Sequence, residues 1–170
     1  MRSLAVGVAT LALVTVISAA PADAQVRFGL GGGPTFSLEE GGGTEFHAMG
    51  TVGFGGGPER PLGFRIDGMY TFIDGGKSLN GTGNVVYNFS ASEETRFRPY
   101  LIGGGGLYYF DSDFGGSSTN FGLNGGAGFN VPIGQGTTKL FGEARFHAIF
   151  ADGDTGNILP ITVGIMFGGS

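Results

Sequence analysis

Glu143, Arg145 and His147 stand at alternate positions of the run KLFGEARFHAIF, Lys139 to Phe150, so an extended chain carries an acid, a cation and an imidazole on one side. Three roles are open to such a set. As a general base His147 would need a nucleophile beside it, and no Ser lies near it in the sequence. A rearranging acid–cation pair can gate a narrow proton or ion path. The third role is structural: charges enclosed together must neutralise one another, because a buried charge without a partner is very costly. Residues of the matching parity in other segments supply partners, namely Glu45, His47, Arg65, Asp67, Arg96 and Arg98, with Lys139 on the same run. Structural ion pairing inside an enclosed space is the expected role, and gating is the functional alternative.

Other motifs carry less. Gly75-Gly76-Lys77-Ser78 mimics the end of a phosphate-binding loop, but Thr71 stands where the motif needs its first Gly and no helix follows, so it reads as a hairpin. Asp152 and Asp154 resemble part of a calcium loop that lacks its later Glu, and turn chemistry accounts for them. No metal or cofactor is expected. Asn80-Gly81-Thr82 and Asn88-Phe89-Ser90 fit a glycosylation acceptor pattern, on segments read here as strands.

The other side of the Lys139 run is wholly apolar: Leu140, Gly142, Ala144, Phe146, Ala148 and Phe150. A soluble barrel would turn this face inward, whereas a membrane barrel turns it to lipid and encloses the charges. The remaining sequence distinguishes the two. Glycine is 37 of 170 residues, yet there is no collagen period, only 7 Pro, and 16 Phe, too many for a disordered chain. Charged residues are 14% with a net charge of −5, and no basic patch favours nucleic acid. There is no Cys, so no disulfide staples the chain.

Alternating segments separated by Gly, Pro, Asp, Asn and Ser clusters predict eight strands, at about 25–36, 44–54, 62–73, 79–90, 96–110, 119–131, 138–150 and 157–167. The seven connections are short, which favours an up-and-down meander. In each strand one parity is apolar or glycine, with its large members at the ends. Phe28 and Phe36, Phe46 and Phe54, Phe64 and Phe72, and Phe121 and Phe129 are each eight residues apart. At about 3.3 Å per residue and a tilt near 40°, eight residues climb roughly 20 Å, close to the apolar band between two aromatic girdles. One predicted ring holds Phe36, Phe46, Phe72, Tyr109, Phe121 and Phe150; the other holds Phe28, Phe54, Phe64, Phe89, Phe97, Phe129 and Phe167, with gaps at Leu79, Leu140 and Leu159. The opposite parity is mostly polar and predicts a packed polar lumen.

The chain begins with Arg2, an apolar run from Leu4 to Ile17 and small residues ending in Ala22-Asp23-Ala24. These are the three parts of a secretory signal peptide, so residues 1–24 are expected to be removed and 25–170 to form the barrel.

The alternation, the export signal and the closing run Asn157 to Phe167 together resemble the OmpA/OmpX-like and opacity-type outer-membrane barrels. Outward Ile161, Val163, Ile165 and Phe167 with Gly164 resemble the terminal signal read by the outer-membrane insertion machinery, although Gly168, Gly169 and Ser170 follow the aromatic. The resemblance implies a closed, antiparallel, all-β transmembrane barrel in a Gram-negative-type outer membrane, a monomer in contact with lipid and lipopolysaccharide. It implies a structural, envelope-integrity or adhesive role towards a surface ligand, without enzymatic activity. The alternatives are a narrow channel for small solutes and a secreted soluble barrel that binds a small ligand. Glu39, Glu40, Asp74, Asp111, Asp113, Asp152 and Asp154 against Lys77 predict an acidic outer rim.

Overall fold

The computed structural model describes residues 26–56, 60–90, 96–112, 115–151 and 154–168. The signal peptide read at 1–24 lies outside them. Eight strands follow one another: β1 (Val26–Ser37), β2 (Thr44–Gly55), β3 (Leu62–Ile73), β4 (Gly76–Asn88), β5 (Arg98–Ser112), β6 (Gly116–Pro132), β7 (Lys139–Ala151) and β8 (Asp154–Phe167). Every strand pairs antiparallel with its sequence neighbours, and β1 with β8, so the sheet closes into an up-and-down barrel without a free edge. Both ends of the strand order, Val26 and Phe167, lie at one mouth, called here the inner end.

The strands reach further at the outer end than alternation alone predicts. β4 starts at Gly76 rather than 79, β5 runs to Ser112, β6 starts at Gly116 and β8 at Asp154. The reason is local at the β3–β4 hairpin: Gly75 takes φ 75° at the second central position of the Asp74-Gly75 turn, a left-handed conformation that favours glycine, and Ile73 pairs directly with Gly76. At the opposite mouth β5 starts at Arg98 instead of 96.

Two proline positions interrupt the ladders. The β1–β8 pairing lapses between Gly32↔Val163 and Thr35↔Pro160, and the β7–β8 pairing lapses between Ala144↔Ile161 and His147↔Ile158. Pro34 and Pro160 have no N–H to donate there.

Side chains sort by parity around the whole circumference. The outward parity exposes Leu30, Phe46, Phe64, Phe72, Leu107, Phe121, Leu123 and Val163, among other large apolar residues. The inward parity buries Arg65, Asp67, Asn80, Asn84, Glu143, Arg145 and His147. The aromatic residues assigned to the two girdles all point outward, and many meet across strands: Phe28↔Phe167, Phe46↔Phe72, Phe54↔Phe64 and Phe121↔Phe150 are register partners. The Phe97 and Phe129 rings stack at 5.2 Å, and those of Phe121 and Phe150 at 6.4 Å. The gap residues fit the same rings, since Leu79 lies between Tyr70 and Tyr109, and Leu159 opposite Phe36.

The lumen is not polar throughout, which corrects the sequence reading. Met49, Met69, Phe141 and Met166 form one buried apolar cluster, and Val86, Tyr100 and Ile102 another. Inward glycines make room for the rings. A Cβ on Gly164 would stand 2.6 Å from Phe141, its register partner, and one on Gly128 would strike Tyr100, likewise its partner. An aromatic ring laid over a cross-strand glycine fills the space the missing side chain leaves.

Candidate functional site in the barrel lumen

Four charged side chains converge at mid-lumen. Arg65 and Asp67 are two residues apart on β3, and Glu143 and Arg145 two apart on β7, so the period of two sends both pairs inward. β3 and β7 are four strands apart in an eight-strand ring, which places the pairs face to face. Arg65 Nε lies 2.9 Å from Asp67, and its Nη2 lies 2.7 Å from Glu143. Arg145 Nη1 lies 2.9 Å from Asp67, and its Nε lies 2.7 Å from Glu143. Each charge therefore touches two of the opposite sign, in a closed ring of zero net charge.

Neutral donors complete the ring. Tyr100 donates its hydroxyl proton to Glu143 over 2.7 Å, and Asn84 donates to Asp67 over 2.9 Å. Arg145 Nη2 lies 3.1 Å from the Met49 sulfur, so the guanidinium also rests on the apolar cluster. The four charged side chains are no more than 4% exposed. Such burial is tolerable only with this degree of pairing.

The two histidines lie outward of the ring. His47 is held by hydrogen bonds of 2.9 Å to Thr35 and 2.9 Å to Thr162, which span β1, β2 and β8. His147 Nδ1 shares a 2.7 Å hydrogen bond with Tyr108, whose ring meets it edge-on. His147 Nε2 and both amide atoms of its register partner Asn124 are buried without a protein partner. Thr162 beside His47 has the distance of a nucleophile–base pair, but both are nearly inaccessible, at 2% and 4% exposure.

The remaining expected site residues divide by position. Glu45 is half-buried at the outer end, and among the described residues it makes no ion pair. Arg98 and Lys139 are half-buried at the inner mouth, also without an acidic partner among the described residues. Arg96 corrects the expectation of a lumen residue: it is exposed ahead of β5, because pairing with β6 begins only at Arg98↔Asn130. Arg27 takes a place at that mouth, which alternation does not single out. Ile161, Val163, Ile165 and Phe167 face outward on β8, while Gly164 faces the lumen beneath Phe141. Asp152 lies outside the described residues, and Asp154 accepts the Thr155 N–H at 2.8 Å, a local turn bond. Among the described residues no group of three or more His, Asp or Glu is placed to hold a metal ion. At the outer rim Glu39 accepts from the Asn157 backbone at 2.9 Å, and Lys77 pairs with Asp111 at 3.1 Å.

No family model matches the sequence, and no curated protein does. Solved structures do match in fold. The chain is similar to neisserial surface protein A, with a TM-score of 0.64 and 17% identity over 85% of this chain and 96% of that one. It is similar to the N-terminal β-barrel domain of Pseudomonas aeruginosa OprF, at TM-score 0.58 and 15% identity over 84% and 97%. A major outer membrane protein of Thermus thermophilus matches at TM-score 0.58 and 14% identity over 86% and 99%. The fold is that of small outer-membrane barrels, in agreement with the resemblance read from the sequence.

Proposed function

We propose that this protein is an integral outer-membrane barrel with a structural role, maintaining envelope integrity or presenting its short outer hairpins to a surface ligand. The observation that carries this reading is the division of the wall by parity. The side that a soluble ligand-binding barrel would bury, with Phe46, Phe64, Phe72 and Leu107, is the exposed one. The lumen is crossed by the Arg65–Asp67–Arg145–Glu143 ring and filled beside it by Phe141 and the methionines, which favours a plug over an open path. The inner end is then periplasmic, and β8 carries the outward face read by the insertion machinery. Lipid and lipopolysaccharide are the partners of the outward face, with the barrel working as a monomer. The sealed surroundings of His47 and His147 support a non-enzymatic role.

The experiment is direct. The protein is expected in the outer-membrane fraction, to migrate differently on gels before and after boiling, and to give no discrete conductance in planar bilayers. Solubility without detergent would overturn the membrane reading. Discrete conductance steps that change with Glu143→Gln would instead support a channel gated at the ring.

A further inference from the structure

The inner mouth of the lumen holds three cations and, among the described residues, no acidic partner for them. Arg27, at the start of β1, donates to the carbonyl oxygens of Gly55 and Gly56, the latter at 3.4 Å, while its Nε is buried without a partner. Arg98 is the register partner of Asn130, and Lys139 that of Met166. Arg27, Asn130 and Met166 line one small cavity that opens in part to solvent, and Arg98 and Lys139 stand beside two of its lining residues in the strand register. Lys139 lies within electrostatic range of both Arg27 and Arg98, all of one sign. The acids deeper in the lumen, Asp67 and Glu143, are already matched by Arg65 and Arg145.

The cavity wall also carries an open polar group. Asn130 is 9% exposed, and its Oδ1 is buried with no hydrogen-bond partner. Three like charges around a partly enclosed space repel one another unless an anion lies between them, and a buried amide oxygen without a donor is costly. One ligand chemistry answers both demands. A guanidinium fork and an ammonium suit the oxygens of a tetrahedral oxyanion. A hydroxyl on the same ligand, whether a protonated phosphate oxygen or a headgroup alcohol, donates to Asn130 Oδ1.

We propose that the inner mouth binds a phosphate-class oxyanion between Arg27, Arg98 and Lys139, with Asn130 as the neutral partner. The group is either a free phosphate or the headgroup of an anionic phospholipid in the adjoining leaflet. The site does not depend on the surface role proposed above, because binding is read on the isolated barrel.

The test uses the mature protein, labelled with 15N at arginine, in a phosphate-free non-ionic detergent. Sodium phosphate is titrated at pH 7 against sodium chloride of equal ionic strength, and the Arg27 Nε–H signal is followed. A saturable shift with phosphate alone is expected. Arg98→Gln and Lys139→Met should each weaken binding about tenfold, the loss of one charge-assisted contact. Lys77→Met at the far end should leave binding unchanged. Boiled and unboiled gel migration shows that each variant is folded. A response to chloride equal to that of phosphate, no saturable shift, or unaltered binding in both mouth variants would overturn the site. Nanodiscs separate the two sources: an Arg27 signal already shifted in phosphatidylglycerol but not in phosphatidylcholine assigns the headgroup. A signal unshifted in both lipids that still titrates with phosphate assigns the free ion.

Discussion

The mid-lumen ring and the inner mouth are built from the same residue types on the same inward parity, yet they solve opposite electrostatic problems. In the ring Arg65 and Arg145 are 4% and 2% exposed, and each meets two carboxylates. At the mouth Arg98 and Lys139 remain half-buried and meet none among the described residues. Depth explains the contrast. Mid-lumen has no solvent to compensate an unpaired charge, so burial there requires complete pairing, whereas the mouth can share its charge with water or with a ligand. Arginine on an inward position of a barrel is therefore no sign of a gate until its partners are known.

The contrast can be broken most forcefully at Glu143. Glu143→Ala leaves both ring arginines short of a partner and should lower unfolding stability by about 3 kcal/mol, measured by urea titration of folded protein in lipid vesicles. An unchanged midpoint would mean the ring is not the closed network described. Removing charges of both signs together sharpens the point: Arg65→Met with Glu143→Gln should cost clearly less than the two single changes added, because the pair is coupled. Packing beside the ring is tested separately by Gly128→Ala. Its added methyl strikes Tyr100 and displaces the hydroxyl from Glu143, for a loss on the order of 2 kcal/mol in the same titration.

Effects should shrink towards the ends. Lys139→Met relieves repulsion with Arg27 and Arg98, so stability should change by less than about 1 kcal/mol, and a gain is expected at low salt. A loss as large as that of Glu143→Ala would show that Lys139 has a partner the mouth does not reveal. At the outer rim, Lys77→Ala removes an exposed pair with Asp111 and should leave the unfolding midpoint where it was.

How much of this was legible beforehand follows from the range of each interaction. The eight strands and their two faces could be read because alternation is local: Leu140 to Phe150 and Lys139 to Ile149 are separated by parity alone. Strand ends were less legible, since a turn glycine such as Gly75 decides how far a hairpin stays paired. The apolar clusters of Phe141 and the inward methionines are not legible in the alternation, because isolated apolar residues on a mostly polar parity show their contacts only once the strands close. Arg96 and Arg27 differ from expectation for a related reason. Parity continues smoothly through Arg96, but pairing begins two residues later, while Arg27 stands between Val26 and Phe28 with no other charged residue nearby.

The sequence by itself determined which side of every strand is apolar, and therefore that a closed sheet would carry lipid-compatible residues on one surface and ionisable ones on the other. It also supplied charges in balance, an Arg and an Asp on one strand and a Glu and an Arg on another. Only the tertiary structure decided that these four meet each other, because their encounter depends on strand count and register, which bring β3 across from β7 over 78 residues of chain. The same closure buried both histidines and set Arg27 against a cavity at the inner mouth.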